Sequence, residues 1–343
     1  MTSPDPAAER VPWLEPTWLE GATAWIDDEA ARAGFARDGE IEQPHVYWWA
    51  TALRVPTTGG VLWFKASTPV DAFEATLTSL LAALSPMQTV EVIATRPDHG
   101  WMLTRDAGVR LREVGDGPAL EHWEMLLPRY AELQMELSPR RQELLAMKVP
   151  DHSLPMLPGQ LAQALDEPDS ILLGRHDGLT IEQHRQLVDG LPAFNELCTR
   201  LAALGPAATL QHDDFHDGNV FVRAGRYVFL DWGDACVSHP FHTLVVTLRG
   251  LAYAYGLPPG GVELSRLRDA YLEPWTRHRS RADVNAAAEL ARRTGTVQRA
   301  LGWLRLVRTM PDHVRAEYGD SVPYGMRLYL LDGPFGTWDD GSF

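Results

Sequence analysis

The chain has 343 residues, of which 45% are hydrophobic and 22% are charged, as expected for a globular protein with room for two domains. Its net charge of -15 argues against nucleic acid and anionic lipid as partners, and no apolar run is long enough to span a membrane. Only two cysteines are present, and the N-terminus lacks a signal-peptide pattern, so we predict a cytoplasmic location.

Helix and strand patterns alternate over the first third of the chain. The predicted elements are a helix at 17–36, strands at 41–49, 50–57 and 61–67, a helix at 67–84 and two strands within 90–108. In the second helix, Asp71 is the predicted N-cap, and Glu74 follows three residues later in the pattern of a capping box. Twelve tryptophans indicate large buried aromatic surfaces or a cleft lined with rings.

Helical periodicity dominates the remainder of the chain. Helices are predicted at 119–137, 180–204, 265–278 and 284–307, with one hairpin, NVFVRAGRYVFLDW, at 219–232. We therefore predict an α+β protein with a sheet-containing domain at 1–106 and a mainly helical domain at 107–343.

The stretch QHDDFHDGNVFV at 211–222 concentrates groups that bind metals or transfer protons. His212 and His216 have the spacing of zinc ligands in an HExxH helix, but Gly218 and the VFV strand would end such a helix. A solvated turn is a second interpretation, because clusters of Asp, Asn and Gly are usually turns. That interpretation leaves Asp231 unexplained, since a carboxylate in the apolar run FLDW needs a cation or hydrogen-bond donors.

A phosphoryl-transfer site accounts for both ends of the hairpin. In such a site one carboxylate accepts the proton of an attacking hydroxyl, while an amide oxygen and a second carboxylate hold Mg²⁺. Asp214 lies two residues after His212 and five before Asn219, and the hairpin then leads to Asp231. These residue types, in this order, supply each of the required groups.

Two segments of the hairpin region also carry a resemblance to a known family. HDDFHDGN resembles the HGDxHxGN catalytic loop of the aminoglycoside phosphotransferase and choline kinase family, and FLDWGDA resembles its IDWxDA segment. The resemblance implies a bilobal protein-kinase-like fold, with a small antiparallel-sheet N-lobe carrying helices and a larger, mainly helical C-lobe. It also implies an ATP-dependent kinase that uses Mg²⁺, with GTP as the alternative nucleotide.

Carried over position by position, the resemblance assigns roles to the loop. It implies that Asp214 is the catalytic carboxylate and that Asn219 and Asp231 are the Mg²⁺ ligands. His212 would brace the loop from beneath. Asp213 stands where the family usually has glycine, and if that position needs a positive φ, aspartate tolerates it at some cost.

The nucleotide contacts are expected in the first domain. Lys65, within the apolar strand VLWFKAS, would hold the phosphates and pair with Glu74, although an edge-strand lysine facing water and the capping box are simpler alternatives. GWMLTRDAG resembles the family's hinge, which implies main-chain contacts from Thr104 and Asp106 to adenine. No glycine occurs between the first two strands, unlike the GxGxxG loop of protein kinases.

The expected acceptor is a hydroxyl of a small molecule, such as an aminoglycoside, an amino sugar or another small alcohol. The net charge favours a cationic acceptor. A core or surface position explains each candidate contact better than binding does; the candidates are Glu273, Trp275, Trp303, Trp338, Asp339 and Asp340. The alternative function is a catalytically silent nucleotide- or metabolite-binding protein on the same fold, which the missing glycines and Asp213 favour.

Overall fold

The computed structural model describes residues 11–115 and 120–338, so the predicted domain ends, residues 116–119 and the candidates Asp339 and Asp340 lie outside it. The described chain forms two compact units, one of residues 11–109 and 221–233 and the other of the remaining residues from 110 to 338. In the described segments, no helix is both long and apolar enough to cross a membrane.

The first unit is built on a five-stranded antiparallel sheet in the order β1-β2-β3-β5-β4. Its elements are α1 (Pro16–Arg32), β1 (Glu42–Val46), β2 (Ala50–Thr57), β3 (Gly60–Ser67), α2 (Phe73–Leu84), β4 (Val92–Arg96) and β5 (Trp101–Arg105). Burial alternates along β2 and β3, as expected for strands with one face on a core. Phe64 is fully buried, and Lys65, the next residue, therefore points to the opposite face.

An aromatic cluster forms the core beside α1. The rings of Trp18 and Trp25 lie at steep angles against Phe64 and Trp101, with centroids 5.6 to 6.1 Å apart. Edge-to-face contacts at this spacing are favourable, and each ring removes a large apolar area from water. The tryptophan content therefore reflects a buried aromatic core, as the composition indicates.

The predicted capping box on α2 is wrong. The helix begins at Phe73, and its N-cap is Ala72, which makes no side-chain capping bond. Asp71 instead accepts a hydrogen bond from the Glu74 N–H through its main-chain oxygen. The Glu74 carboxylate is thereby available to β3, where a cation and a hydroxyl satisfy it more fully than one backbone amide would.

The predicted helical domain, residues 107–343, includes the hairpin at 219–232. In the structure this hairpin belongs to the first unit. It comprises β8 (Val220–Arg223) and β9 (Arg226–Phe229). The boundaries between the units fall inside β6 (Val109–Arg110), inside β8 and between Gly233 and Asp234. Phe229 donates its N–H to Gln88 at 2.8 Å, and Val228 packs with Val90 and Ala107. These contacts carry Asp231, at the end of the hairpin, into the first unit.

The second unit is mainly helical. Its helices are α3 (Leu120–Leu137), α4 (Arg141–Ala146), α5 (Leu157–Leu165), α6 (Ile181–Asp189), α7 (Leu191–Leu204), α8 (Thr243–Tyr255), α9 (Val262–Leu272), α10 (Arg281–Val307), α11 (Asp312–Tyr318) and α12 (Ser321–Leu331). Two short strands, β7 (Thr209–Gln211) and β10 (Cys236–Ser238), pair antiparallel. Two predicted helices end earlier than periodicity suggests, because Pro192 starts α7 and Pro274 follows α9.

Candidate active site

In the first unit, Lys65 is held between two carboxylates. Its Nζ lies 2.7 Å from Oε1 of Glu74 and 2.6 Å from Oδ1 of Asp231. Ser67 donates its hydroxyl to the other Glu74 oxygen at 3.0 Å. The Glu74 side chain is only 1% exposed, whereas that of Asp231 is 55% exposed. The predicted Lys65–Glu74 ion pair is therefore present, and the more accessible carboxylate is Asp231.

The charges in this cluster stabilise the ionised lysine. Burial alone would lower the pKa of Lys65, but the carboxylates of Asp231 and Glu74 outweigh it and raise that pKa above its usual value. Burial, in contrast, raises the pKa of Glu74, and Lys65 opposes that effect. Lys65 is consequently a fixed positive charge at neutral pH.

Asp231 adopts a backbone conformation that few residues tolerate. Its φ is 65°, in the left-handed region, where a residue with a Cβ costs about 1–2 kcal/mol. Asp231 lies in the connection between strand β9, which ends at Phe229, and the short helical segment Trp232–Asp234. The strained residue is thus the one whose carboxylate reaches Lys65, as is common at functional sites.

The predicted hinge residues lie at the end of β5. Thr104 is buried and pairs with Trp63 of β3. The Asp106 side chain accepts hydrogen bonds from Trp63 Nε1 at 2.9 Å and from the Gly108 N–H at 2.8 Å. Its main-chain N–H donates to Val61 at 3.3 Å. The adenine contacts of Thr104 and Asp106 stay predictions, and the N–H of Asp106 would have to leave Val61 to make one.

In the second unit, the Asp214 carboxylate receives hydrogen bonds at both oxygens. Arg299 lies 3.1 Å from Oδ1, while Asn219 Nδ2 and His216 Nε2 each lie 3.1 Å from Oδ2. Burial would raise the pKa of Asp214, but His216 and Arg299 outweigh it and lower that pKa. The structure therefore fixes the orientation of an ionised carboxylate, with 26% of its side-chain surface exposed.

His216 reaches Asp214 in a defined tautomer. Its Nδ1 accepts the Gly218 N–H at 2.9 Å and lies 3.2 Å from Arg112. Because two donors point at Nδ1, the ring proton resides on Nε2 and is donated to Asp214. Asp214 raises the pKa of His216 against the effect of burial, but a second proton on Nδ1 would break both contacts. His216 thus belongs to the loop itself.

His212 supports the loop from inside, as expected for a structural histidine. It is fully buried, its Nδ1 accepts the Asp214 N–H at 3.3 Å, and its own N–H donates to the Tyr130 hydroxyl at 2.9 Å. Phe215 stacks on Tyr130 with centroids 4.1 Å apart. A further bond, 2.7 Å long, runs from the Thr247 hydroxyl of α8 to the Phe215 carbonyl. Residues from α3 and α8 therefore hold the loop.

Asp213 and Arg299 form a buried electrostatic contact behind the loop that carries Asp214. Asp213 has a φ of 64° and is 1% exposed, and Arg299 lies 3.4 Å from it. Arg299 also lies 3.6 Å from Asp234, so that one guanidinium serves three carboxylates. Gly302, one turn further along α10, leaves room for the Asp213 side chain. The position requires a positive φ, and α10 accommodates aspartate there.

Comparison with known proteins agrees with this architecture. The family model described as the phosphotransferase enzyme family matches residues 53–284, more than half of the chain. The chain belongs to the phosphotransferase enzyme family. It is therefore an enzyme that transfers phosphate to a hydroxyl group. Comparison with the curated proteins gives no significant match.

Solved structures share the fold of this phosphotransferase. An ethanolamine kinase from Plasmodium vivax superposes with a TM-score of 0.59 at 13% identity, over 93% of this chain and 89% of the other. A choline kinase from Cryptosporidium parvum gives 0.59 at 13%, over 85% and 88%. A spectinomycin phosphotransferase, in complex with ADP and spectinomycin, gives 0.50 at 12%, over 90% and 98%. The predicted protein-kinase-like α+β fold is confirmed.

Within each unit, several predicted site residues lie together, and three further residues contact them. It brings together Lys65, Glu74 and Asp231 in the first unit, and Asp214 and Asn219 in the second. The sequence interpretation missed Ser67, assigned no role to His216 and overlooked Arg299. The second histidine of the family loop could have revealed His216. Arg299, 85 residues after Asp214, has only the weak signal of an arginine near apolar residues on a helix.

The acceptor candidates have different surroundings. Trp275 is 6% exposed and packs against Phe241 with centroids 5.4 Å apart, so it belongs to the core. Glu273 forms an ion pair with Arg281. The ring of Trp303 lies 5.3 Å from the Arg299 guanidinium carbon. Among these three, Trp303 is the one associated with a residue that contacts Asp214.

Proposed function

We propose that this phosphotransferase moves the γ-phosphate of ATP to a hydroxyl of a small molecule, with Asp214 as the catalytic carboxylate. The observation that supports this assignment is the Asp214 carboxylate held by Arg299, Asn219 and His216 while part of its surface stays exposed. Such a group can orient the acceptor hydroxyl and take its proton as the new P–O bond forms. ADP leaves as the bond to the γ-phosphorus breaks. Positioning dominates in this reaction, so a low pKa is compatible with the role.

Lys65 is the proposed phosphate ligand. It is a permanent cation on a rigid strand, and Glu74 and Ser67 hold its surroundings in place. A strand lysine paired with a helix glutamate is the arrangement that protein kinases use toward ATP phosphates. The proposal extends to Thr104 and Asp106 as main-chain contacts of the base.

Asn219 and Asp231 are the proposed Mg²⁺ ligands, and their chemistry fits this ion. Asn219 donates through Nδ2 to Asp214, at 3.1 Å from the carboxylate, which leaves its amide oxygen to act as an acceptor. Asp231 offers an exposed carboxylate. Within the described ranges there is no cluster of three or more His, Cys, Asp and Glu side chains that could hold a metal alone. Mg²⁺ usually takes one or two protein oxygens and completes its shell with phosphates and water, and it would neutralise phosphate charge.

Replacement of Asp214 tests the assignment. We expect Asp214→Ala to lower turnover by on the order of 10²- to 10⁴-fold, as for the loss of a general base, with the fold intact. The assay is ADP release across a panel of amino sugars, aminoglycosides, choline, nucleosides and hydroxy acids. Asp269→Ala, a change on the exposed face of α9, is the matched control and should keep wild-type turnover. Undiminished turnover in Asp214→Ala, with circular dichroism unchanged, would remove Asp214 from the mechanism.

A further inference from the structure

Among the residues that the structure describes, no group neutralises the charge of Arg249 on α8 at close range. Within residues 11–115 and 120–338 its guanidinium makes no ion pair and no hydrogen bond. Its close neighbour is the ring of Tyr324, whose centroid lies 5.3 Å from the guanidinium carbon. The side chain is partly accessible, so its donors face space that water can enter.

The helix that carries Arg249 lies against the catalytic loop. Thr247 bonds to the Phe215 carbonyl, and a Cβ at Gly250 would sit 3.9 Å from the Cβ of His216. Burial lowers the pKa of Arg249, whereas Tyr324 and, to a smaller extent, the charges of Asp214 and Asp213 oppose that effect. Arg249 therefore shares the electrostatic environment of the catalytic carboxylate.

The two carboxylates that raise the pKa of Arg249 already pair with another arginine. Asp213 and Asp214 are both within ion-pair distance of Arg299, whose positive charge also faces Arg249 and lowers its pKa further. Arg327 lies on the same Tyr324 ring, at 5.9 Å, and adds another positive charge. A partly desolvated guanidinium with free donors is costly unless an anion binds it, and its planar fork matches carboxylate and phosphate oxygens.

We propose that Arg249 binds an anionic group, a carboxylate or a phosphate, of the acceptor whose hydroxyl is phosphorylated. The inference rests on the proposed function, because it uses Asp214 to locate the acceptor. It differs from the expectation of a cationic acceptor, which came from the net charge of the whole surface. Two arginines near Asp214 would repel an ammonium group there and attract an acid.

Binding of simple anions tests the site without requiring turnover. Sulfate and glycerate are titrated calorimetrically into the wild type, Arg249→Met, Arg249→Lys and Arg327→Met, without nucleotide. Arg327→Met is the matched control, because it removes a cation from the same ring whose donors already reach the Asp177 and Gly178 carbonyls. We expect Arg249→Met to weaken both anions by about 10- to 100-fold, Arg249→Lys by less, and Arg327→Met by under about 3-fold.

Phosphotransfer then identifies the source of the anion. Matched alcohols with and without a carboxylate, glycerate with glycerol and pantothenate with pantothenol, are compared as acceptors. We expect the wild type to prefer the acids and Arg249→Met to lose that preference, with its affinities for ATP and ADP unchanged. A selective loss of ATP over ADP affinity would assign Arg249 to the γ-phosphate and overturn the acceptor site.

Two results would contradict the proposal in different ways. Equal loss of anion binding in Arg249→Met and Arg327→Met would show a general field effect rather than a site. Equal loss of turnover on acids and neutral alcohols would show that Arg249 only supports the loop. If the wild type phosphorylates none of the acceptors, the proposed function fails, and the sulfate titration still decides whether Arg249 binds anions.

Discussion

Asp213 shows how one residue can depart from a family pattern when distant residues compensate. Its φ of 64° is a conformation that glycine adopts without cost, and the family usually has glycine there. The aspartate side chain is buried, and it is accommodated because Arg299 supplies a cation and Gly302 supplies space. The departure therefore leaves the Asp214 carboxylate supported. Arg299 contacts the carboxylates of both Asp213 and Asp214. The aspartate at position 213 is therefore no argument for a catalytically silent binding protein.

The buried carboxyl of Asp213 predicts a pH dependence of stability. Burial raises its pKa to about 7 and the charge of Asp234 contributes, although Arg299 opposes both effects. Because this exceeds the ordinary value of 3.8, the protonated form is favoured by folding. Its stabilising contribution is complete below about pH 4 and is lost as pH rises through about 7.

The measurement is the free energy of unfolding by urea between pH 5 and pH 8. We expect wild-type stability to fall over this range by a few kcal/mol from this group. Asp213→Asn keeps the size of the side chain and removes its titration, so its profile should be flatter. Parallel profiles for the two proteins would show that Asp213 does not titrate in this range.

At the scale of elements, the proposed catalytic loop depends on three helices that are distant in sequence. α3 supplies Tyr130, α8 supplies Thr247, and α10 supplies Arg299 and Gly302. Periodicity predicts α3 and α10 because each has an apolar stripe, but it does not predict α8, which is buried along most of its length. Packing between these helices and the loop thus fixes the loop conformation.

Contact between α10 and the loop is tested by filling the space at Gly302. A Cβ there would lie 2.7 Å from Oδ2 of Asp213, so we expect Gly302→Ala to destabilise the protein by about 1–3 kcal/mol and to lower turnover. Gly159→Ala on α5 is the control, because its Cβ would meet open space and alanine favours a helix by about 0.5–1 kcal/mol. Thermal unfolding and ADP release measure both effects. Equal stabilisation by the two changes would mean that the loop does not need this space.

At the scale of the whole molecule, the two units carry different parts of the proposed chemistry. The first holds the Lys65 cluster and the second holds the Asp214 loop. The net charge of -15 does not describe the local charge of the Lys65 cluster or of the Asp214 loop, because each combines cations and carboxylates in its own proportion. Global charge therefore predicts solubility and the exclusion of polyanions better than it predicts the acceptor.

The increase in protein stability on adding Mg-ATP measures nucleotide binding separately from phosphate transfer. With Mg-ATP at about 100 times its dissociation constant, binding should add about 2.7 kcal/mol to the stability of the protein. We expect this increase in Asp214→Asn, which keeps Lys65, but only a small one in Lys65→Met, which loses the phosphate ligand. Differential scanning fluorimetry with and without Mg-ATP measures the shift. Full stabilisation of Lys65→Met would contradict its proposed role.

The sequence alone determined the features that depend on local order along the chain. The alternation in β2 and β3, the apolar stripes of α3 and α10, and the spacing from Asp214 to Asn219 to Asp231 identified the fold class and the family. Each of these features depends only on residues within one element or one hairpin, so it appears as a pattern in the sequence. The Lys65–Glu74 ion pair was predicted because a kinase site needs a strand lysine oriented by a helix glutamate, and Glu74 lies on the next helix along the chain.

Only the tertiary structure decided which distant groups meet. It replaced the capping box of Glu74 with contacts to β3, placed the Asp231 hairpin in the first unit, and brought Arg299 to Asp214 across 85 residues. Among residues 11–115 and 120–338, it also left Arg249 without a close counter-charge. Such contacts arise because packing satisfies buried charges with whichever helix lies alongside, and sequence separation carries no record of that choice.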